Sequence, residues 1–158
     1  MSQVENYPPI EKLIPHRGNM CLLKRIVHYE DKKIELETQV EAGAWYLDEH
    51  GQMPTWVTLE MMAQAAAAYS GMERICEQQP PRIGVLLGAR TLVAYLPTVP
   101  AGTMLHIKAE QTFRDRSGMG AIDAQIFVRN QAGESLLASA TLKVYELGEN
   151  MTLADLNS

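Results

Sequence analysis

Met53-Pro54-Thr55-Trp56-Val57-Thr58-Leu59-Glu60-Met61-Met62-Ala63-Gln64-Ala65-Ala66-Ala67-Ala68-Tyr69-Ser70-Gly71-Met72 reads as one long helix whose only carboxylate is Glu60. Pro54 sits at or just before the first turn, where its missing N–H costs nothing. Apolar or small residues fill nearly every angular position, and a helix apolar all round is enclosed by its own protein. A carboxylate buried there without a partner costs several kcal/mol or takes a raised pKa, the property an enzyme needs in a group that holds a proton near neutrality. Glu60 is therefore read as buried, and as either partnered or functional. Gln64 lies one turn further along the same face.

Outward from this helix the patterning changes period. Before it, residues 10–14 make one helical turn stopped by Pro15, and 21–29 and 33–40 read as two strands joined across Glu30-Asp31-Lys32. Residues 41–52 form a loop, and the helix runs to about residue 77. Four β-rich segments follow at 82–95, 104–114, 119–129 and 135–147, separated by turn-forming Pro, Gly, Asp and Asn. Leu105, Ile107, Ala109, Gln111 and Phe113 alternate with polar neighbours, and so do Ile122, Ala124, Ile126 and Val128, so one sheet face is buried. A sheet with one apolar face curling around an apolar helix satisfies both patterns. The expected class is α+β, an antiparallel β-sheet wrapped around one long central helix.

At 158 residues and 46% hydrophobic content the chain fits a single domain, 1–158, with its core at about 10–147 and a C-terminal tail at 148–158. The net charge of −5 is scattered, with no basic face for a phosphate backbone, so nucleic acid is not an expected partner. Cys21 and Cys76 have no metal-ligand spacing to each other or to His16, His28, His50 and His106. They read as reduced packing residues, with neither a metal site nor a disulfide framework. Gly118-Met119-Gly120 is a hairpin signal and not a phosphate loop, so no cofactor is expected. MSQVENYPPIEK lacks an apolar leader core, and the helix is interrupted by Glu60 and Gln64 before a membrane-spanning length. A cytoplasmic protein without membrane contact is the expectation.

Three stretches carry a resemblance. Leu13-Ile14-Pro15-His16-Arg17 followed by Leu22-Leu23-Lys24-Arg25-Ile26, Met53-Pro54 with Glu60 and Gln64, and Gly88 through Pro97-Thr98-Val99-Pro100-Ala101-Gly102 together resemble the FabZ/FabA group of hot-dog fold dehydratases, which act on 3-hydroxyacyl chains held by acyl carrier protein. Three features depart from that group, one being Thr55 where its usual glycine follows the proline. Its catalytic His lies fourteen positions before the helix carboxylate, which here is Tyr46, and the basic residues of its third strand are Val93, Ala94 and Tyr95. Residues 45–56 (WYLDEHGQMPTW) instead look like ApeP-type proteins of aryl polyene clusters, which pair with ApeI-like dehydratase subunits.

The resemblance implies a hot-dog fold, a site shared across a dimer, and elimination of water from a 3-hydroxyacyl thioester. That reaction needs a base for the proton α to the carbonyl and an acid for the departing hydroxyl. Glu60 fits the acid. Gln64 fits a residue that holds the carboxyl or a reacting water, or else a core amide. The amides of Thr55, Trp56 and Val57 would point N–H groups and the helix dipole at a thioester oxygen. Met53, Met61 and Met62 are core residues that could also line a flexible acyl pocket. His50 is the local imidazole placed to supply the base, against the reading of an exposed loop His beside Asp48 and Glu49. His16 reads as structural, and His28 and His106 as surface residues.

The implied partners are an acyl carrier protein with a phosphopantetheine-linked substrate and a second hot-dog subunit. That subunit is a second copy or an ApeI-like chain contributing the missing His, joined edge to edge in one continuous sheet. Two rival readings stay open: a hot-dog thioesterase using the helix carboxylate, and a non-catalytic subunit supporting a His-bearing partner.

Overall fold

The computed structural model describes residues 6–80, 82 and 84–147; the expected tail at 148–158 lies outside the described residues. The long helix, α1, runs Val57–Cys76. Eight strands accompany it: β1 (Arg25–Glu30), β2 (Lys33–Gln39), β3 (Gln52–Pro54), β4 (Gly84–Ala94), β5 (Thr98–Pro100), β6 (Met104–Arg114), β7 (Met119–Asn130) and β8 (Gly133–Glu146). Six form one antiparallel sheet in the order β1-β2-β6-β7-β8-β4, and the helix packs against β2, β6, β7, β8 and β4. This is the hot-dog arrangement. Ile34, Leu36, Leu105, Ile107, Ile126 and Leu142, all essentially inaccessible, form the sheet's share of the core.

Short β3, expected as the end of the loop and the start of the helix, and β5, expected as turn, pair with each other, Met53 opposite Val99, and the helix begins only at Val57. The pairing fixes the chain entering α1: the Thr55 N–H donates to Pro97 O (2.9 Å) and the Thr55 hydroxyl to Leu96 O. Strand β1 starts at Arg25, later than expected, because Gly18–Met20 forms a 3-10 turn and Leu22 and Leu23 are drawn into the core.

The sheet covers one side of α1, and the N-terminal segment covers the other. Gly71 marks the closest approach, since a Cβ there would lie 2.6 Å from Leu13 O. That explains a helix apolar almost all round: no residue from Val57 to Arg74 is fully exposed, and Glu60, Ala63, Ala67 and Ser70 form a half-covered stripe.

Four expectations are corrected. Phe113 is 55% exposed because a bulge between Gln111 and Phe113 shifts the register and ends the inward alternation. His106 is not a surface residue. It lies on the sheet face away from the helix but is enclosed, its Nδ1 2.7 Å from Glu134 Oε1 and its Nε2 3.0 Å from Glu35 Oε1. Cys76, the last helical residue, is exposed and packs no core, while Cys21 is half-buried. Glu60 is not buried: its side chain keeps 43% of its exposure.

Candidate active site

The first turn of α1 carries the carboxyl of Glu60. Glu60 projects from the half-covered stripe toward the loop between the two 3-10 turns (Ile10–Lys12 and Gly18–Met20), and two nitrogens meet one of its oxygens. Gln64 Nε2 donates to Glu60 Oε1 at 3.0 Å, and His16 Nε2 lies 3.3 Å from the same atom. Among the described residues Glu60 Oε2 has no partner. Gln64 is fully buried and fixed on every side, its Oε1 accepting from the Leu22 N–H (2.9 Å) and its Nε2 also donating to Met20 O (2.7 Å). The interior satisfies a buried amide only this way. Gln64 thus latches the covering segment to the helix and hands one N–H to the Glu60 carboxyl.

The imidazole at Glu60 was not expected there. His16 follows Pro15 in a turn fastened by Arg17, whose Nη1 donates to Ile14 O (2.6 Å) and His16 O (2.8 Å). Its place in the Pro-His-Arg opening was the available signal, but no local periodicity connects position 16 with position 60. His50 sits elsewhere in its surroundings. Its side chain is 77% exposed, its Nε2 lies 3.5 Å from Glu49, and its backbone N–H donates to Asp48 Oδ1 in a tight turn.

The helix opening supplies fewer N–H groups than expected. The Thr55 amide is committed to Pro97, which leaves those of Trp56 and Val57 without a backbone acceptor among the described residues. Thr55 and Val57 are buried, and Trp56 is 65% exposed. Met53, Met61 and Met62 are fully enclosed in the core. A groove of about 540 Å³ lies on the opposite sheet face, lined by charged residues including Lys33, Glu35, Lys108 and Asp123, and Glu60 does not border it. Among the described residues no group of three His, Cys, Asp or Glu is placed to hold a metal ion, and no helix is long and apolar enough to cross a membrane.

The fold is that of a hot-dog protein, and the relatives place it in the dehydratase class, a hydro-lyase. The profile of the ApeP-like family, described as ApeP dehydratase, matches residues 8–155, and the chain belongs to that family. It is 28% identical over 127 residues to a 3-hydroxyacyl-[acyl-carrier-protein] dehydratase FabZ of Anaeromyxobacter sp. (strain K), covering 74% of this chain and 81% of that protein. Among solved structures, the dehydratase heterocomplex ApeI:P from Xenorhabdus doucetiae superposes with a TM-score of 0.86 at 24% identity, over 97% of this chain and 100% of the other. A hypothetical thioesterase with coenzyme A from Streptococcus pneumoniae TIGR4 shares the fold more loosely, at TM-score 0.60 and 18% identity over 80% of this chain and 88% of the other.

Proposed function

We propose that this chain is one subunit of a dehydratase that removes water from 3-hydroxyacyl thioesters presented by acyl carrier protein, with Glu60 as the acid and the base supplied by a second hot-dog subunit. The observation that carries this reading is the half-exposed carboxyl of Glu60, pinned through one oxygen and open at the other, in the first turn of the central helix. The name of the FabZ relative supports the substrate class, and the ApeI:P complex supports a partner of the same fold.

In the reaction the base on the second subunit takes the C2 proton. The C2–H electrons form the C2=C3 bond while the C3–O bond breaks, and the departing oxygen takes the Glu60 proton and leaves as water. Negative charge gathers on the thioester oxygen as the C2 proton leaves, and the Trp56 and Val57 amides at the positive end of α1 are suited to stabilise it. Gln64 holds the carboxyl through both protonation states. Edge strand β4 and its continuation present Leu86, Leu87, Leu92, Val93, Tyr95 and Leu96 to solvent, each at least 40% exposed. An apolar edge of this kind supports docking of the second subunit there.

The test is dehydration of a 3-hydroxyacyl-carrier-protein thioester, followed by absorbance of the conjugated product, with this chain alone, with an ApeI-like subunit, and with Glu60→Gln. Activity of the pair that is absent from either chain alone and lost in Glu60→Gln is expected. Release of free thiol instead would establish hydrolysis, and an unaffected Glu60→Gln pair would make the chain a structural subunit.

A further inference from the structure

We infer that His16 is a positioning residue for Glu60, selecting which carboxyl oxygen carries the transferable proton; the inference rests on Glu60 acting as the acid. Three observations converge on it. The Gln64 amide cannot flip, because its Oε1 is held by the Leu22 N–H and its Nε2 by Met20 O, so the group facing Glu60 Oε1 is an N–H donor. The Nδ1 of His16 is buried with no hydrogen-bond partner among the described residues, whereas Nε2 faces the carboxyl at 3.3 Å, so the ring hydrogen belongs on Nε2. Gln64 donates to Oε1, His16 Nε2 lies 3.3 Å from the same oxygen, and neither group approaches Oε2.

A carboxylic acid accepts hydrogen bonds most strongly at its carbonyl oxygen. The Gln64 N–H at Oε1, with the His16 Nε2 edge turned to the same atom, makes Oε1 the carbonyl oxygen and puts the proton on Oε2, the side left open to substrate. When the proton passes to the departing hydroxyl, the same two groups stabilise the carboxylate left behind. Arg17, by holding the Ile14 and His16 carbonyls, fixes the turn that aims the ring.

The experiment compares His16→Ala, His16→Gln and His16→Asn in the assembled dehydratase, reading kcat and KM separately beside a thermal melt. A Gln amide reaches the Nε2 position of the imidazole; an Asn amide reaches only the Nδ1 position. Ala and Asn are expected to lower kcat about tenfold or more, as for lost supporting-shell contacts, with KM within about twofold, and Gln to restore most of the rate. Equal rates for Gln and Asn, or an Ala variant at the parental rate, overturn the inference, and the Gln–Asn comparison stands even if the Ala variant fails to fold. Glu60→Gln in the same assay separates the two levels. Full activity there removes the reading of Glu60 as acid, whereas an inactive Glu60→Gln beside a fully active His16→Ala removes only the role of His16.

Discussion

The amide of Gln64 stands 3.0 Å from the carboxyl of Glu60, one helical turn away, and closes on the backbone of Met20 and Leu22 with its remaining bonds. One buried side chain therefore aligns the Glu60 carboxyl and fastens the segment that covers the helix. Gln64→Leu leaves the Leu22 N–H and Met20 carbonyl unpaired, at a cost of about 2–4 kcal/mol. The melting temperature is expected to fall by roughly 5–15 °C, and kcat to drop with it at temperatures where the variant is folded. Gln64→Glu keeps the shape but sets a second carboxylate against Glu60. A Gln64→Glu enzyme with parental kcat would show that the amide serves only packing.

His50 is expected to be dispensable. Its ring is 77% exposed and turned to Glu49, away from any contact with Glu60. Loss of a general base costs about 10²–10⁴-fold in rate, so His50→Ala leaves the assembled enzyme within about twofold of the parent if the base belongs to the second subunit. A hundredfold loss, measured in the same carrier-protein assay, would return the base to this chain.

Assembly should depend on strand β4. Leu87 and Leu92 are each 48% exposed on an edge strand interrupted by two bulges, so replacing both by Lys removes little from the chain's own core. Lysine is the residue that blunts exposed edges. Leu87→Lys/Leu92→Lys is expected to weaken association with the second subunit at least about a hundredfold, roughly 3 kcal/mol, while circular dichroism stays parental. Sedimentation of the mixed subunits decides it, and an unchanged complex would move the interface elsewhere.

Legibility in the sequence followed range. Strand β6 was readable to the residue and α1 to within a residue at its end, because periodicity and turn chemistry are local signals. The pairing of Glu60 with Gln64 was readable because they share one helix face. His16 was not, since only the folded N-terminal segment brings it across 44 positions to Glu60. The same limit hid the β3–β5 pair, whose three-residue strands are fixed by each other and not by propensity. The exposure of Glu60 was misjudged for the converse reason. Composition says that a helix is covered but does not say which stripe the covering segment leaves open.

Acid should destabilise the fold through the outer face of the sheet. Burial opposes ionisation of Glu37, but hydrogen bonds and charge from Arg25, and then from Arg129, outweigh it and hold its carboxyl below the usual range. Arg129 also binds Glu134, and that bond, aided by His106, lowers the Glu134 carboxyl. A carboxyl depressed in the folded state contributes stability that is present above its unfolded value, about 4.3, and lost as pH falls through the folded value. The melting temperature is therefore expected to be flat near neutrality and to decline below about pH 4.5. Arg129→Met removes the cation shared by both carboxylates. Because that arginine is 39% exposed, its loss at pH 7 is limited to about 1 kcal/mol, or roughly 2–4 °C. Its acid decline is shallower than the parent's but persists, since Asp48, held by the Gln52 N–H, and Asp115, held by Ser117, are also lowered. Melts of both proteins between pH 3 and 8 give the comparison, and parallel curves would mean that Arg129 does not couple these carboxylates to folding.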